Sequence, residues 1–290
     1  MKTITREHFT FSFSSAHPEA LRVDPDETVV FQTRDGADGQ ILTGDENMRQ
    51  LDTERGNPAT GPLFVNGTEP GDTLVVEVQD IRLAGRGYLA VIAGVGLLKD
   101  GMNDHVRMID VKGGWIHFSP NLLIPTCPMI GTIGTAPAEG EIRTWHPGPH
   151  GGNMDNIEVG VGATLYLPVY VPGALLSVGD VHANQGDGEL MGSTLEIEAE
   201  VTLRLSLIKG RCWERPWLET SSAWVTCADA PSLADAIRLA TRDMVHLLGE
   251  KMGLPPEEAY MLVSLTGGAQ ICQACEGVMN ATVRVTIPKF

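Results

Sequence analysis

The stretch from Thr194 to Ile208 constrains the fold most. Leu195, Ile197, Ala199, Val201, Leu203, Leu205 and Leu207 alternate there with Glu196, Glu198, Glu200, Thr202, Arg204 and Ser206. Neighbouring side chains of a strand point to opposite faces, whereas a helix aligns residues three and four apart. A period of two sustained over this length predicts a half-buried antiparallel strand. Related runs occur elsewhere. Leu74–Ile81 follows the turn Glu69-Pro70-Gly71-Asp72, Thr164–Val171 stops at Pro172-Gly173, and Ala281–Ile287 alternates near the end. With 33 glycines and 18 prolines in 290 residues, the chain reads as many short elements joined by tight turns.

Helix is expected only late. Ser232 suits an N-cap with Asp235 in the first turn. Leu233, Ile237, Ala240, Met244, Leu247 and Leu248 recur at helical spacing, and Gly249 and Gly253 lie near the end. Pro255-Pro256-Glu257-Glu258 suits the start of a second, shorter helix. The expected class is mainly β. A β-sandwich-like body over 1–230 carries a smaller α+β layer over 231–290, packed on it as one integrated unit.

Lys and Arg total 21 against 37 Asp and Glu, a formal charge of −16. Such acidity argues against a nucleic-acid or anionic-membrane partner. The run near Val159–Val178 is broken by Gly162, Pro168, Pro172 and Gly173, so no membrane span is expected. Residues 1–8 contain no apolar leader. The five cysteines are an odd count in a long chain, which fits a reducing cytoplasm better than a disulfide framework.

Two segments concentrate chemistry. His146-Pro147-Gly148-Pro149-His150-Gly151-Gly152-Asn153-Met154-Asp155-Asn156 combines imidazoles, a carboxylate and amides in a Gly/Pro-rich loop. Imidazole with carboxylate is a ligand set for a borderline divalent metal such as zinc. The same composition also suits a solvated, hydrogen-bonded turn. The second segment, Gly173–His182, reads as a buried strand with polar residues at its end. Asp180 and His182 lie two apart and so share a strand face. That is a half-site for a metal or proton relay, or an Asp–His hydrogen bond closing a loop. Gln185, Asp187 and Glu189 follow in a Gly-containing turn. Glu196 is the glutamate of the long strand nearest to that turn. His17 and Asp35 are isolated candidates. Cys272-Gln273-Ala274-Cys275 is a CxxC without a second pair, so buried or incidental thiols compete with a Cys272 nucleophile. Serine-hydrolase, P-loop and Rossmann signatures are absent from the sequence.

Taken in order, these residues resemble the acetamidase/formamidase family of short-chain amide hydrolases. The resemblance rests on residues 61–74, Pro149–Asp155, Pro172–His182 with Gly186–Glu189, Ile271–Gln273 and Thr282–Val285. Ala274-Cys275-Glu276-Gly277 departs from it. The resemblance implies hydrolysis of formamide, acetamide or a similar small amide to carboxylate and ammonia. It further implies a β-rich fold, homo-oligomers and a divalent metal, zinc or zinc with a second ion such as Ca2+. On that reading the metal ligands come from His150, Asp155, Asp180 and His182, with His17 a fifth candidate. Glu196 or Glu189 serves as general base and acid, and Asn153, Gln185 and Asp187 bind substrate. The rivals are a cysteine amidase using Cys272 and a non-catalytic β module that binds a metal or small ligand.

Overall fold

The alternation around Ala199–Ile208 builds the interior of a nine-stranded sheet. Its order is Lys2–Ile4, Thr28–Thr33, Ala199–Ile208, Thr73–Leu83, Thr164–Pro168, Trp217–Glu219, Ala223–Ala230, Ala281–Pro288 and Gly268–Gln273. The structure is a computed structural model that describes residues 1–274 and 279–290. Ala199–Ile208 pairs antiparallel with Thr28–Thr33 on one side and Thr73–Leu83 on the other, as its pattern predicts. The strand is shorter than the alternation suggests. Glu196 leaves the ladder to form isolated bridges with Tyr88 and His182. Its N–H and C=O both bond Tyr88, at 3.0 Å each. A side chain expected on a polar strand face is thereby drawn inside, and Glu196 is only 5% exposed.

A second sheet of seven strands faces the first. It runs Pro147–Gly148, Gly151–Asn153, Met129–Gly134, Leu176–His182, Ala59–Val65 and Phe9–Thr10, with Leu21–Val23 added beside Ala59–Val65. One apolar cluster joins the two inner faces. Phe31, Val76, Leu165, Val201 and Leu203 from the first sheet meet Leu63, Ile130, Ile133, Leu176 and Val178 from the second. This is the expected sandwich, in which each inner face supplies alternate residues to one core. All seven residues of Leu176–His182 are buried, because both faces of that strand are covered. A four-stranded sheet, Arg86–Val91, His105–Lys112, Trp115–Ser119 and Leu122–Pro125, flanks the body.

Helices α1 (Leu233–Met252) and α2 (Pro256–Thr266) follow the last strand of the body. The Ser232 side chain accepts from the Asp235 N–H, and Gly253 closes α1 in the left-handed conformation. The buried stripe of α1 is Ala236, Ala240, Met244, Leu247 and Leu248. Ile237, read as core from its spacing, is instead 37% exposed, and the smaller Ala236 takes the contact with Ala230 and Val283. The strands after the helices rejoin the nine-stranded sheet through Ala223–Ala230, so the C-terminal segment extends the body's own sheet. No helix among the described residues is long and apolar enough to cross a membrane.

Candidate active site

Leu176–His182 delivers Asp180 and His182 to one end of the sandwich. The Asp180 Oδ1–His182 Nε2 distance is 3.4 Å, so the two do share a face. Glu196 Oε1 also lies 3.4 Å from His182 Nε2, and Asp155 Oδ1 lies 3.9 Å from Nδ1. Glu189 completes the group. Asp155, Asp180 and His182 each bring a ligand-type atom within 4.8 Å of the others, and so do His182, Glu189 and Glu196. Four carboxyls thus surround one imidazole, and all five side chains are buried.

The backbone is bent to achieve this. Asp155, Asp180 and Glu189 have φ of +47°, +56° and +42°. Non-glycine residues in that region typically carry about 1–3 kcal/mol of strain each, offset by the surrounding fold. Two glycines keep the centre open. A Cβ on Gly131 would lie 2.6 Å from Asp155 Oδ1 and 2.7 Å from Asp180 Oδ2. A Cβ on Gly36 would lie 2.7 Å from Glu196 Oε2.

A ring of amides fixes the cluster. Gln185 Oε1 is 2.8 Å from His182 Nδ1, while its Nε2 donates to the carbonyls of Asp155 and Cys272 at 2.8 and 3.2 Å. An oxygen facing Nδ1 favours a proton there and turns Nε2 toward Asp180 and Glu196. Gln273 Nε2 donates to Asp155 Oδ2 and, at 3.3 Å, to Glu189. Asn57 and Thr132 donate to Asn153 Oδ1 at 3.2 and 2.6 Å, and both approach Asp180 Oδ2. Asn57 and Thr132 carry no local motif, and Gln273 lies in a CxxC that points to its sulfurs; tertiary pairing brings all three to the site.

Three buried atoms of the cluster have no hydrogen-bond partner among the described residues: Asp155 Oδ1, His182 Nε2 and Glu196 Oε2. Buried polar groups are rarely left in that state without an ion or water. Converging oxygen and imidazole donors, an open centre and unpaired lone pairs make this a candidate metal centre of Asp, His and Glu. Burial and mutual repulsion raise Asp155 well above the carboxylate range, Glu189 to about 8 and Glu196 to about 7. Burial also opposes charge on His182, but the carboxylates of Glu196 and Asp180 outweigh it and raise its pKa. Burial pushes Asp180 up as well, yet the His182 imidazole more than compensates and leaves it lowered.

The sign of the resulting pH dependence is fixed. Raised Glu and His groups hold more protons in the folded than in the unfolded chain, so stability falls as pH rises through these values. His150, held down to about 4, works the opposite way, but the several raised groups of the cluster outnumber it, so the chain stripped of cations is expected to melt lower at pH 8 than at pH 5. The shift is on the order of 10 °C for a few kcal/mol in a chain of this size. Saturating divalent metal is expected to flatten the dependence. Melting curves across that range check it, and a rise in melting temperature with pH would contradict the description of the cluster.

Other sequence candidates lie apart. The His150 ring is buried edge-on against Phe13, 4.8 Å between centroids, and neither nitrogen has a hydrogen-bond partner among the described residues. Burial holds its pKa down to about 4. A Cβ at Gly148 or Gly152 would come within 2.8 or 3.0 Å of the ring, so these motif glycines make room for His150. The structure does not bring it to the carboxylates. His17 lies near the surface with Nε2 2.8 Å from Ser12 Oγ. Asp187 pairs with Arg284 at 2.7 Å and anchors the turn that carries Glu189. Both ends of the Gln185 amide are engaged by protein, which makes it a support for His182. The Cys272 thiol is buried beside Cys227 and 3.9 Å from Arg284 Nη1, and only its carbonyl reaches the site through Gln185. Cys275 lies outside the described residues. Asp35 accepts from the N–H groups of Ala37 and Gly39 and shapes the turn that holds Gly36.

The cluster forms one end of a cavity of about 290 Å³. Asn153, Asp180, Glu189, Glu196 and Gln273 line that end. Ile41, Met48, Leu51, Tyr88, Ile92 and Trp145 are the large apolar and aromatic side chains of the remainder, which also carries Gln40, Asp52, Thr53 and Ser193.

The model of the Acetamidase/Formamidase family matches residues 12–146 and 138–289. The chain belongs to this family. An acetamidase from Bacillus halodurans of known crystal structure superposes with a TM-score of 0.95 at 35% identity, covering 99% of this chain and 97% of that one. An acetamidase of Mycolicibacterium smegmatis is 28% identical over 67% of this chain and 64% of its own length. A formamidase of Methylophilus methylotrophus is 27% identical over 66% and 62%. The chain thus spans less than two thirds of the length of these curated relatives. Within the family fold, the carboxylate–imidazole cluster adjoins a cavity that has both polar and apolar walls.

Proposed function

We propose that the chain hydrolyses a small amide to a carboxylate and ammonia at this cluster. The observation that carries the reading is the set of three unpartnered buried atoms, Asp155 Oδ1, His182 Nε2 and Glu196 Oε2, in a cluster whose Asp180, Glu189 and Glu196 line a cavity. Asp155, Asp180 and His182 are the residues that would hold a divalent metal such as Zn2+. When bound, such an ion supplies a Lewis acid for the amide carbonyl and an acidified water.

The chain's own groups supply the rest. Gln185 fixes the His182 ring, and Gln273 fixes Asp155. Glu196 Oε2 takes the proton from the attacking water as the C–O bond forms, and that proton goes to the nitrogen as the C–N bond breaks. Glu189 is the second carboxyl within the cavity that can carry it. Asn153 orients the amide. The cluster's side chains are buried, which strengthens each of these interactions.

The test is ammonia release from acetamide and formamide before and after chelation, with metal content measured on the same sample. Loss on chelation and recovery with Zn2+ is the expected result. Activity surviving complete metal removal would overturn the reading. A second expected result concerns Gln185→Leu, which removes the support of His182 without touching a carboxyl. Metal affinity should drop about 10–100-fold, the usual cost of losing such a partner. Titration of the metal-free variant with Zn2+ measures it.

A further inference from the structure

The cavity is larger than the carboxamide it would process. Its volume is about 290 Å³, and beyond the carboxyls its largest lining side chains are apolar, with Gln40, Asp52, Thr53 and Ser193 between them. A dry apolar cavity of roughly 150 Å³ is enough to bind benzene. Formamide and acetamide offer at most one methyl group to Ile41, Met48, Leu51, Tyr88, Ile92 and Trp145. Most of that wall would stay uncovered around them.

The wall is also held in place. Ala37, Ile41, Tyr88 and Ala90 form a buried apolar cluster, against which Met48, Leu51 and Ile92 pack. Tyr88 is tied to Glu196 by the paired backbone hydrogen bonds at 3.0 Å, so the apolar wall and the polar cluster are positioned together. A ligand spanning both must present a carboxamide at one end and an apolar body at the other.

We propose that the substrate is a primary amide whose acyl group is apolar and of about phenyl size, an inference that rests on the amidase reading above. The reaction is R–CONH2 + H2O giving R–COO− and NH4+, with R on the apolar wall. One C–N bond breaks, one C–O bond forms, and no oxidant or reductant is needed.

Comparison of kcat/KM for ammonia release from formamide, acetamide, butanamide, hexanamide and phenylacetamide by the metal-replete chain tests this. Each buried methylene should raise kcat/KM about four-fold, so hexanamide should exceed acetamide by about 10²-fold. Turnover of acetamide with a flat or falling series would overturn the proposal and leave the amidase reading intact. No ammonia from any of the five amides would overturn the amidase reading and the proposal with it. Ala90→Leu, which fills the wall, should lower kcat/KM for hexanamide at least ten-fold and leave acetamide within two-fold. Met48→Ala, which strips the wall on an outer segment, provides the same comparison if Ala90→Leu does not fold. Equal losses on short and long amides in either variant would overturn the assignment of this wall to the acyl group.

Discussion

Replacing His182 with alanine is expected to lower amide turnover by more than about 10²-fold, the upper end of what loss of a supporting residue alone costs. The ring is the one imidazole within the cluster, and both candidate ligand triads share it. Without it, Asp155, Asp180, Glu189 and Glu196 face one another with no imidazole between them, and the Gln273 amide alone bridges Asp155 and Glu189. Desolvated like charges at such separations cannot all ionise, so protons replace the cation. Metal content should fall with activity, and metal analysis on the purified variant reads this directly. His182→Ala with full metal content and full turnover would place the chemistry elsewhere. His150→Ala provides a contrast, because that ring touches Phe13 and the surrounding glycines rather than the carboxylates. It should cost stability through the cavity it leaves, while the His182 cluster keeps its metal.

Gly131→Ala is expected to produce the second large effect, with a single methyl group. Its Cβ would fall 2.6 and 2.7 Å from carboxylate oxygens of Asp155 and Asp180, and 2.8 Å from the Asp180 carbonyl oxygen. The carboxylates are buried and braced by Gln273, Thr132 and Asn57, and the carbonyl belongs to the adjoining strand. Nothing at this spot is the loose end of a flexible side chain. Overpacking of this kind typically costs about 1–3 kcal/mol. The methyl also occupies the space between two of the ligand-type carboxylates. Turnover and metal binding should therefore be lost before the fold is. Thermal melting paired with metal titration separates the two effects. A variant that binds Zn2+ as tightly as the parent would show that the cluster can spread without cost.

Much of the sandwich is legible from residues that act locally. The alternation around Ala199–Ile208, the Ser232 cap and the pairing of Asp180 with His182 on one face all follow from backbone periodicity, and the structure has each of them. The misplaced residues share a physical cause. Glu196 lies on what reads as a polar face, but its two hydrogen bonds with Tyr88 belong to a neighbouring strand that sequence spacing cannot reveal. Gly36 and Gly131 stand in unremarkable runs, and their role exists only because carboxylates from distant segments arrive beside them. The glycines around His150 suggest a loop open to a ligand, whereas their missing side chains accommodate His150 itself. Gln273 lies within a CxxC that draws attention to its sulfurs, while its amide does the work of holding Asp155.

The order of strands in the large sheet has a consequence for how the chain acquires its structure. Thr33 pairs with Ala199, 166 residues later. The next neighbour inward, Thr73–Leu83, also waits for Ala199–Ile208 to fill the gap between them. During synthesis, the first two thirds of the chain therefore emerge before the central strand exists. Thr28–Thr33 and Thr73–Leu83 each keep one edge unpaired throughout that interval, since only their other neighbours, Lys2–Ile4 and Thr164–Pro168, precede the central strand. Loop-closure entropy on this scale slows folding, and exposed apolar edges invite association with other chains. Ribosome-bound chains that have emerged to about residue 190 should thus lack the protease resistance that this pairing gives, and chains that have emerged past residue 210 should gain it in both early strands together.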